Sequence, residues 1–190
     1  MKMNRVLMAA LASSALLSAS AMAADGTITF NGQVTASACT TVAGAAIIGG
    51  TASNNATIGL PNVTATSLSA AAGTYAGHTP FTIELSGCQA TAALNNVRAL
   101  FTTTTSPVGD SNIMGNTAVG GAGDVGIAIL SGGTQVDLNG GPSVAPGVAL
   151  PPSGTPGAVS LQYTAAYKSL STSVTTGPVQ GITDYVISYY

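Results

Sequence analysis

Charge is what this sequence has least of. Its 190 residues include four Lys+Arg, six Asp+Glu and one histidine, so charged residues are only 5% of the chain. Tryptophan is absent, three Phe and six Tyr are the whole aromatic complement, and there are two cysteines. So few cations cannot build a phosphate-neutralising surface, which excludes nucleic acid as a partner. They cannot build a polybasic membrane patch either. The lone histidine, His78, has no paired acid nearby in sequence and precedes Thr79-Pro80, so it reads as a solvated loop residue. Serines are abundant, but G-x-S-x-G is absent and a hydrolytic triad would have to use that lone histidine, so the chain reads as a non-enzyme needing no cofactor. Two cysteines and one histidine do not make a zinc site. Asp110, Asp124 and Asp137 lie near glycines without EF-hand spacing, so they read as turn aspartates rather than metal ligands.

The first 23 residues are set apart. Lys2 and Arg5 form a basic n-region, residues 6–17 an apolar h-region, and Ala21-Met22-Ala23 a small-x-small cleavage pattern. This reads as a signal peptide over 1–23, with a mature chain of 167 residues, enough for one domain. After the signal, no window approaches 18 consecutive apolar residues, so no membrane insertion is expected. Arg98 and Lys168 are then the only cations against six acids, a net charge of −4. The 46% hydrophobic content argues against disorder, so solubility must come from Thr, Ser, Asn and Gln, or from assembly. In an exported chain Cys39 and Cys88 read as one disulfide. It closes a loop of about 50 residues, valued at roughly 4 kcal/mol in the chain-entropy model.

Helical periodicity is nearly absent after the signal. Instead, short alternating runs recur between Gly, Pro, Asn and Ser clusters, the pattern of an all-β sandwich. Predicted strands are 81–85, 96–103 (Val97, Ala99 and Phe101 on one face), 125–130, 134–138, 158–167 and 182–190. The run V-G-I-A-I-L at 125–130 is apolar on both faces, as in a central strand. Ser131-Gly132-Gly133 provides the spacing of a hairpin turn. Predicted connections are 49–55, 109–123 and 139–157. The last holds five prolines, which confine it to a loop or a sheet edge.

The two ends are the unusual parts. Residues 27–34 (T-I-T-F-N-G-Q-V) alternate strictly, with Ile28, Phe30, Gly32 and Val34 on one face, at a position where most domains keep a disordered terminus. At the other end Thr183, Tyr185, Ile187 and Tyr189 share a face, Gly177 stands fourteenth from the end and Tyr189 is penultimate. The mature chain therefore divides into a short extension, 24–35, and a sandwich domain, 36–190.

In this order of motifs the sequence resembles shaft subunits of chaperone–usher (type 1 fimbrial) pili. The matching residues are G-T-I-T-F-N-G-Q-V at 26–34 with Cys39 soon after, F-T-I-E-L-S-G-C at 81–88, D-V-G-I-A-I-L at 124–130, Gly177 and Tyr189. The proline-rich segment before Ala158 is longer than the family pattern. The resemblance implies an incomplete immunoglobulin-like β-sandwich that lacks its last strand, with an N-terminal donor-strand extension. It implies that Gly26, Ile28, Phe30, Gly32 and Val34 fill a groove of a neighbouring subunit, Gly32 where that groove is shallow. It also implies a C-terminal edge (Gly177, Tyr185, Ile187, Tyr189, Tyr190) read by a periplasmic chaperone and an outer-membrane usher, with the Tyr190 carboxylate held by chaperone basic residues. The expected product is a head-to-tail homopolymer on the cell surface, exported through the periplasm. Two alternatives are a minor adaptor near the pilus tip and, from a different class, a secreted carbohydrate-binding sandwich or adhesin. The absence of Trp speaks against the latter.

Overall fold

The computed structural model describes residues 37–48, 50–139 and 145–190. In chain order the elements are β1 (Thr41–Ile47), α1 (Ala65–Leu68), β2 (Tyr75–Cys88), β3 (Asn96–Thr102), β4 (Met114–Gly115), β5 (Val125–Ser131), β6 (Thr134–Gln135), β7 (Val148–Ala149), β8 (Gly157–Ser169) and β9 (Asp184–Tyr189). They form two antiparallel sheets. One runs β1-β2-β8-β5-β4 with β6 added on β5, and the other runs β7-β3-β9. Alternation decides which residues face inward. Val97, Ala99 and Phe101 of β3 are buried, as are Val159, Leu161, Tyr163 and Ala165 of β8. The core lies between these faces.

β5 is buried along six consecutive residues; it pairs β8 on one side and the short β4 and β6 on the other, Ile127 and Ile129 face the core, and Ile113 lies against Gly126. Its hairpin to β6 turns through Gly132 and Gly133 at φ 58° and 83°. Two successive positive φ values are what a two-residue hairpin loop demands, and glycine adopts them without strain. The partner strand is shorter than the sequence suggests. Val136 makes one more backbone bond, to Ile129, and then Asp137 folds the chain away, its carboxylate accepting from Asn139 N at 2.8 Å.

Other differences have local causes. β2 runs 14 residues and begins well before Phe81, so His78 is an exposed strand residue rather than a loop one. Pro80 is tolerated there because β1 ends at Ile47, opposite Phe81, so Pro80 has a strand partner only on the β8 side, at Thr164, and its missing N–H breaks no ladder bond. The connection over 109–123 contains β4. The short helix α1 is capped by Thr64, whose hydroxyl accepts from Ser67 N, and buries Leu68 beside Val125 and Val174.

Four aromatic rings fill the middle of the sandwich. Phe101 sits edge-on to Tyr163 at 4.9 Å, Phe81 lies 5.6 Å from Tyr163, and Tyr185 is 6.5 Å from Phe101. The Tyr163 hydroxyl crosses between the sheets to accept from Ala99 N at 3.2 Å. That N–H lies beyond the reach of β7, which pairs only Asn96 and Val97, so the tyrosine takes the place of a missing strand partner. Burial pushes the Tyr163 pKa up, against this bond and the Arg98 charge, which pull it down. Cys39 and Cys88 are joined, tying the chain just before β1 to the end of β2.

The outer face of the large sheet carries a polar knot. Lys168 donates to Asp110 at 2.7 Å and to Gln135 at 2.6 Å, and the Tyr75 hydroxyl donates to the same Gln135 oxygen. Burial lowers the Lys168 pKa, but the bond to Asp110 and the attraction of Tyr75 and Asp110 outweigh it and leave the pKa raised. Glu84 accepts from Ser160, its cross-strand neighbour.

Two outcomes follow. Tyr163→Phe leaves the buried Ala99 N–H without a partner and should cost about 1–3 kcal/mol, read as a lower denaturant midpoint at unchanged slope. Raised values for Lys168 and Tyr163 act in one direction with pH. Their contribution is complete below the unfolded values, about 10 to 10.4, and is lost as pH climbs through the folded ones. Thermal stability should therefore fall above about pH 10. The deficit of Lys168→Met at neutral pH should shrink as the alkaline limit is approached.

Candidate functional site: an apolar groove between two sheet edges

β9 is the strand from which the site is built. Asn96 and Tyr190 exchange both backbone bonds, and the antiparallel ladder alternates from there. The N–H and C=O groups of Tyr185, Ile187 and Tyr189 therefore point to the outer edge of β9. Among the described residues, no strand pairs with that edge. The side chains of the same three residues pack partly against the core.

The facing edge belongs to the chain around and after β1. β1 pairs β2 on one side. On the other side, Ala45 exchanges both backbone bonds with Ser53 at 3.0 Å. Gly44, at φ 100°, permits this approach, since a Cβ there would collide with the Ser53 carbonyl. Residues 56–63 follow without regular secondary structure, and among the described residues they have no backbone–backbone partner. Ile58 and Leu60 turn toward the core from this segment.

Between the two edges runs a groove of about 1120 Å³. Its floor comes from the large sheet and the aromatic core: Phe81, Ile83, Phe101, Ile127, Ile129 and Ala165. At one end Ser37 donates to the Tyr189 hydroxyl at 3.0 Å. At the other, Gly181 lies against Met114 and Ile127, where a Cβ would meet Met114 at 2.8 Å. Burial raises the pKa values of Tyr167 and Tyr185, which also line the groove. Among the described residues no three His, Cys, Asp or Glu side chains converge to hold a metal. The site offers shape, apolar surface and unpaired backbone groups.

The approach to β9 is fixed by Asn116. Its Oδ1 accepts from Ala118 N and Gln180 N, and its Nδ2 donates to the carbonyls of Ala122 and Pro178, all at 2.9 to 3.1 Å. One side chain thus pins the 116–122 loop to the segment that enters β9.

Of the residues singled out in the sequence, Tyr185, Ile187 and Tyr189 line the groove. Tyr190 sits at the end of the ladder. Its carbonyl accepts from Asn95 N and Asn96 N, and its ring lies 4.5 Å beneath the Arg98 guanidinium. Gly177 is not on the edge. It precedes β9 and is seated against the backbone of residues 120–122, where a Cβ would meet Ala122 N at 2.5 Å. Gly26, Ile28, Phe30, Gly32 and Val34 lie outside the described residues. The second edge, residues 56–63, was not foreseen. Its signal was the short I-G-L alternation at Ile58 and Leu60, followed by Pro61, which has no N–H to give to a ladder. Nor was Asn116 foreseen, and a single asparagine in a loop carries no distinguishing pattern.

A family model described as fimbrial protein matches residues 12–190. The chain belongs to the fimbrial protein family. It is 34% identical over 141 residues to the F17 fimbrial protein of Escherichia coli, covering 73% of this chain and 77% of that one. Two solved structures share the fold of this fimbrial protein. The P pilus rod subunit PapA matches at a TM-score of 0.50 and 21% identity, over 72% of this chain and 93% of that one. An antigen and type I fimbria protein of Burkholderia pseudomallei matches at 0.51 and 23%, over 72% and 84%.

Asn116→Ala removes four hydrogen bonds and leaves the segment before β9 without its tie. A loss of about 2–3 kcal/mol is expected, together with faster hydrogen exchange in β9 than in β8.

Proposed function

We propose that this chain polymerises by receiving a strand of a neighbouring subunit in its groove and donating its own residues 27–34 in turn. The chain is a structural subunit of a chaperone–usher pilus, an extracellular component. The mechanism of assembly is the further step. The observation that carries it is the groove itself: an apolar floor flanked by two edges whose backbone groups have no partner among the described residues. An inserted strand supplies partners to both edges and side chains to the floor.

The extension has the right pattern for that occupant. Ile28, Phe30 and Val34 on one face contribute roughly 1.5–3 kcal/mol each when buried. About eight new backbone bonds add on the order of 1 kcal/mol apiece. Such a strand leaves only if most of these contacts break together, so its release is extremely slow. Gly32 occupies the shallow part of the groove. Because each subunit gives at one place and receives at another, the contact is head-to-tail and does not close, and a filament results. No catalysis by the subunit is needed.

The rest of the reading concerns delivery. Residues 1–23 direct the chain to the periplasm, where a chaperone strand occupies the groove until the next subunit replaces it at the usher. Tyr185, Ile187 and Tyr189 form the edge that the chaperone strand pairs with, and Tyr190 lies at its end. Gly177 supports this edge indirectly, by letting the preceding segment seat on residues 120–122.

Deletion of residues 24–35 should give a subunit that accepts a strand and cannot donate one. Surface extracts of cells making it should lose the ladder of bands that, in wild type, collapses to one band only on boiling. A persistent ladder would sink the mechanism. Gly32→Leu should reduce the ladder far more than Asn31→Leu.

A further inference from the structure

The row of β9 that alternates with the core-facing Tyr185, Ile187 and Tyr189 is not polar, and its Ile182, Asp184 and Val186 also border the groove at its rim. Ile182, just ahead of the strand, Val186 and Tyr190 are 61%, 62% and 44% exposed. Across the ladder Leu100 stands opposite Val186, Arg98 opposite Ser188 and Thr102 opposite Asp184. The outer face of the small sheet thus has Leu100 and Val186 in its middle, Arg98 toward one end and Asp184 at the other. Four residues of strand separate the two charges, roughly 13 Å. Neither charge has an ion-pair partner among the described residues. Among the described residues the ion pair is Lys168 with Asp110, and Arg98 Nε is buried with no hydrogen-bond partner. The Tyr190 ring beneath the guanidinium holds Arg98 in place.

We infer that this face is a contact site for the same face of a second copy of the chain. Two copies related by a two-fold axis that runs obliquely in the plane of contact bring Val186 onto Val186. The same rotation sets each Arg98 against the other copy's Asp184. The strands then cross by a few tens of degrees, close to the angle at which aligned sheets pack. Apart from residues 1–23 the chain has a net charge of −4, so close approach of two copies is unfavourable wherever acids meet. This face is the place where an uncommitted cation and an uncommitted carboxylate are spaced to pair twice.

The inference rests on the polymer reading above and extends it. A filament made by head-to-tail donation is polar and has no two-fold axis across it, so like faces cannot meet within one filament. The contact joins copies in two filaments lying side by side. A single contact of a few side chains falls short of the roughly 1,000 Å² that a stable pair requires. Filaments repeat it at every subunit that comes into register, and the contacts then act together. The consequence is lateral bundling that weakens with salt.

The test uses assembled filaments of the full chain carrying Val186→Lys, Arg98→Glu, Asp184→Lys, or the double exchange Arg98→Glu with Asp184→Lys. The boiling-sensitive ladder reads polymerisation. Low-speed sedimentation and negative-stain images at low ionic strength read bundling. Every variant should keep the ladder. Val186→Lys and each single charge reversal should lower the sedimenting fraction about tenfold, and the double exchange should restore it. Unchanged bundling in Val186→Lys, or a double exchange as dispersed as the singles, would overturn the inference. So would loss of the ladder in Val186→Lys, because the face would then serve folding or polymerisation instead. Absence of a ladder in wild type is a different failure, that of strand donation itself.

Discussion

The demand of the peptide backbone for hydrogen-bond partners governs this molecule. Each residue brings one donor and one acceptor that must be paired or left in water. Among the described residues the fold meets that demand through nine strands, and between β9 and residues 56–63 no partner is supplied. The groove there has an apolar floor, which favours exclusion of water, and edges that need polar partners. A β-strand with alternating apolar residues satisfies both requirements at once, whereas a small apolar ligand or water satisfies only one of them. The chemistry of the site is therefore that of the main chain.

A groove of this kind must also resist collapse. The two sheets are held apart by the Phe81, Phe101, Tyr163 and Tyr185 rings, with the Tyr163 hydroxyl serving β3 where β7 gives out. One rim is set by the Ala45–Ser53 bridge and the other by Asn116. These are local devices, each using a polar group to pin a loop. None of them lies in a strand long enough to define the fold, yet together they decide the spacing of the edges.

Much of this was legible in the sequence, because a strand with one buried face must alternate. The faces of β3, β8 and β9 could be read directly, and the apolar run at 125–130 could be placed in the interior of a sheet. The hairpin at Gly132-Gly133 was visible for a related reason, since few residues can adopt its backbone angles. What could not be read depends on contacts distant in sequence. Ser53 pairs with Ala45 only because Gly44 allows the approach, and His78 and Pro80 enter β2 because β8 extends alongside. Gly177 was legible as significant but not as a backbone-packing residue. Residues 56–63 have too few apolar side chains to resemble a strand, and without a ladder partner they are not assigned as one. Residues 26–34, proposed as the donor strand, are the case in which sequence carries the argument alone.

The placement of the disulfide has a mechanical consequence. Cys39 is two residues from Ser37, at the Tyr189 end of the groove, and its partner Cys88 ends the longest strand, which is paired on both sides with β1 and β8. A pull on the chain ahead of Cys39 does not have to be carried by β1, an edge strand that would unzip from β2 one bond at a time. The covalent link passes the tension straight into β2, where neighbouring ladders are loaded in shear and must yield together. On the strand-donation reading proposed above, in which neighbours hang from the subunit by a single strand, this puts the first point of failure at the joint between subunits rather than inside any one of them.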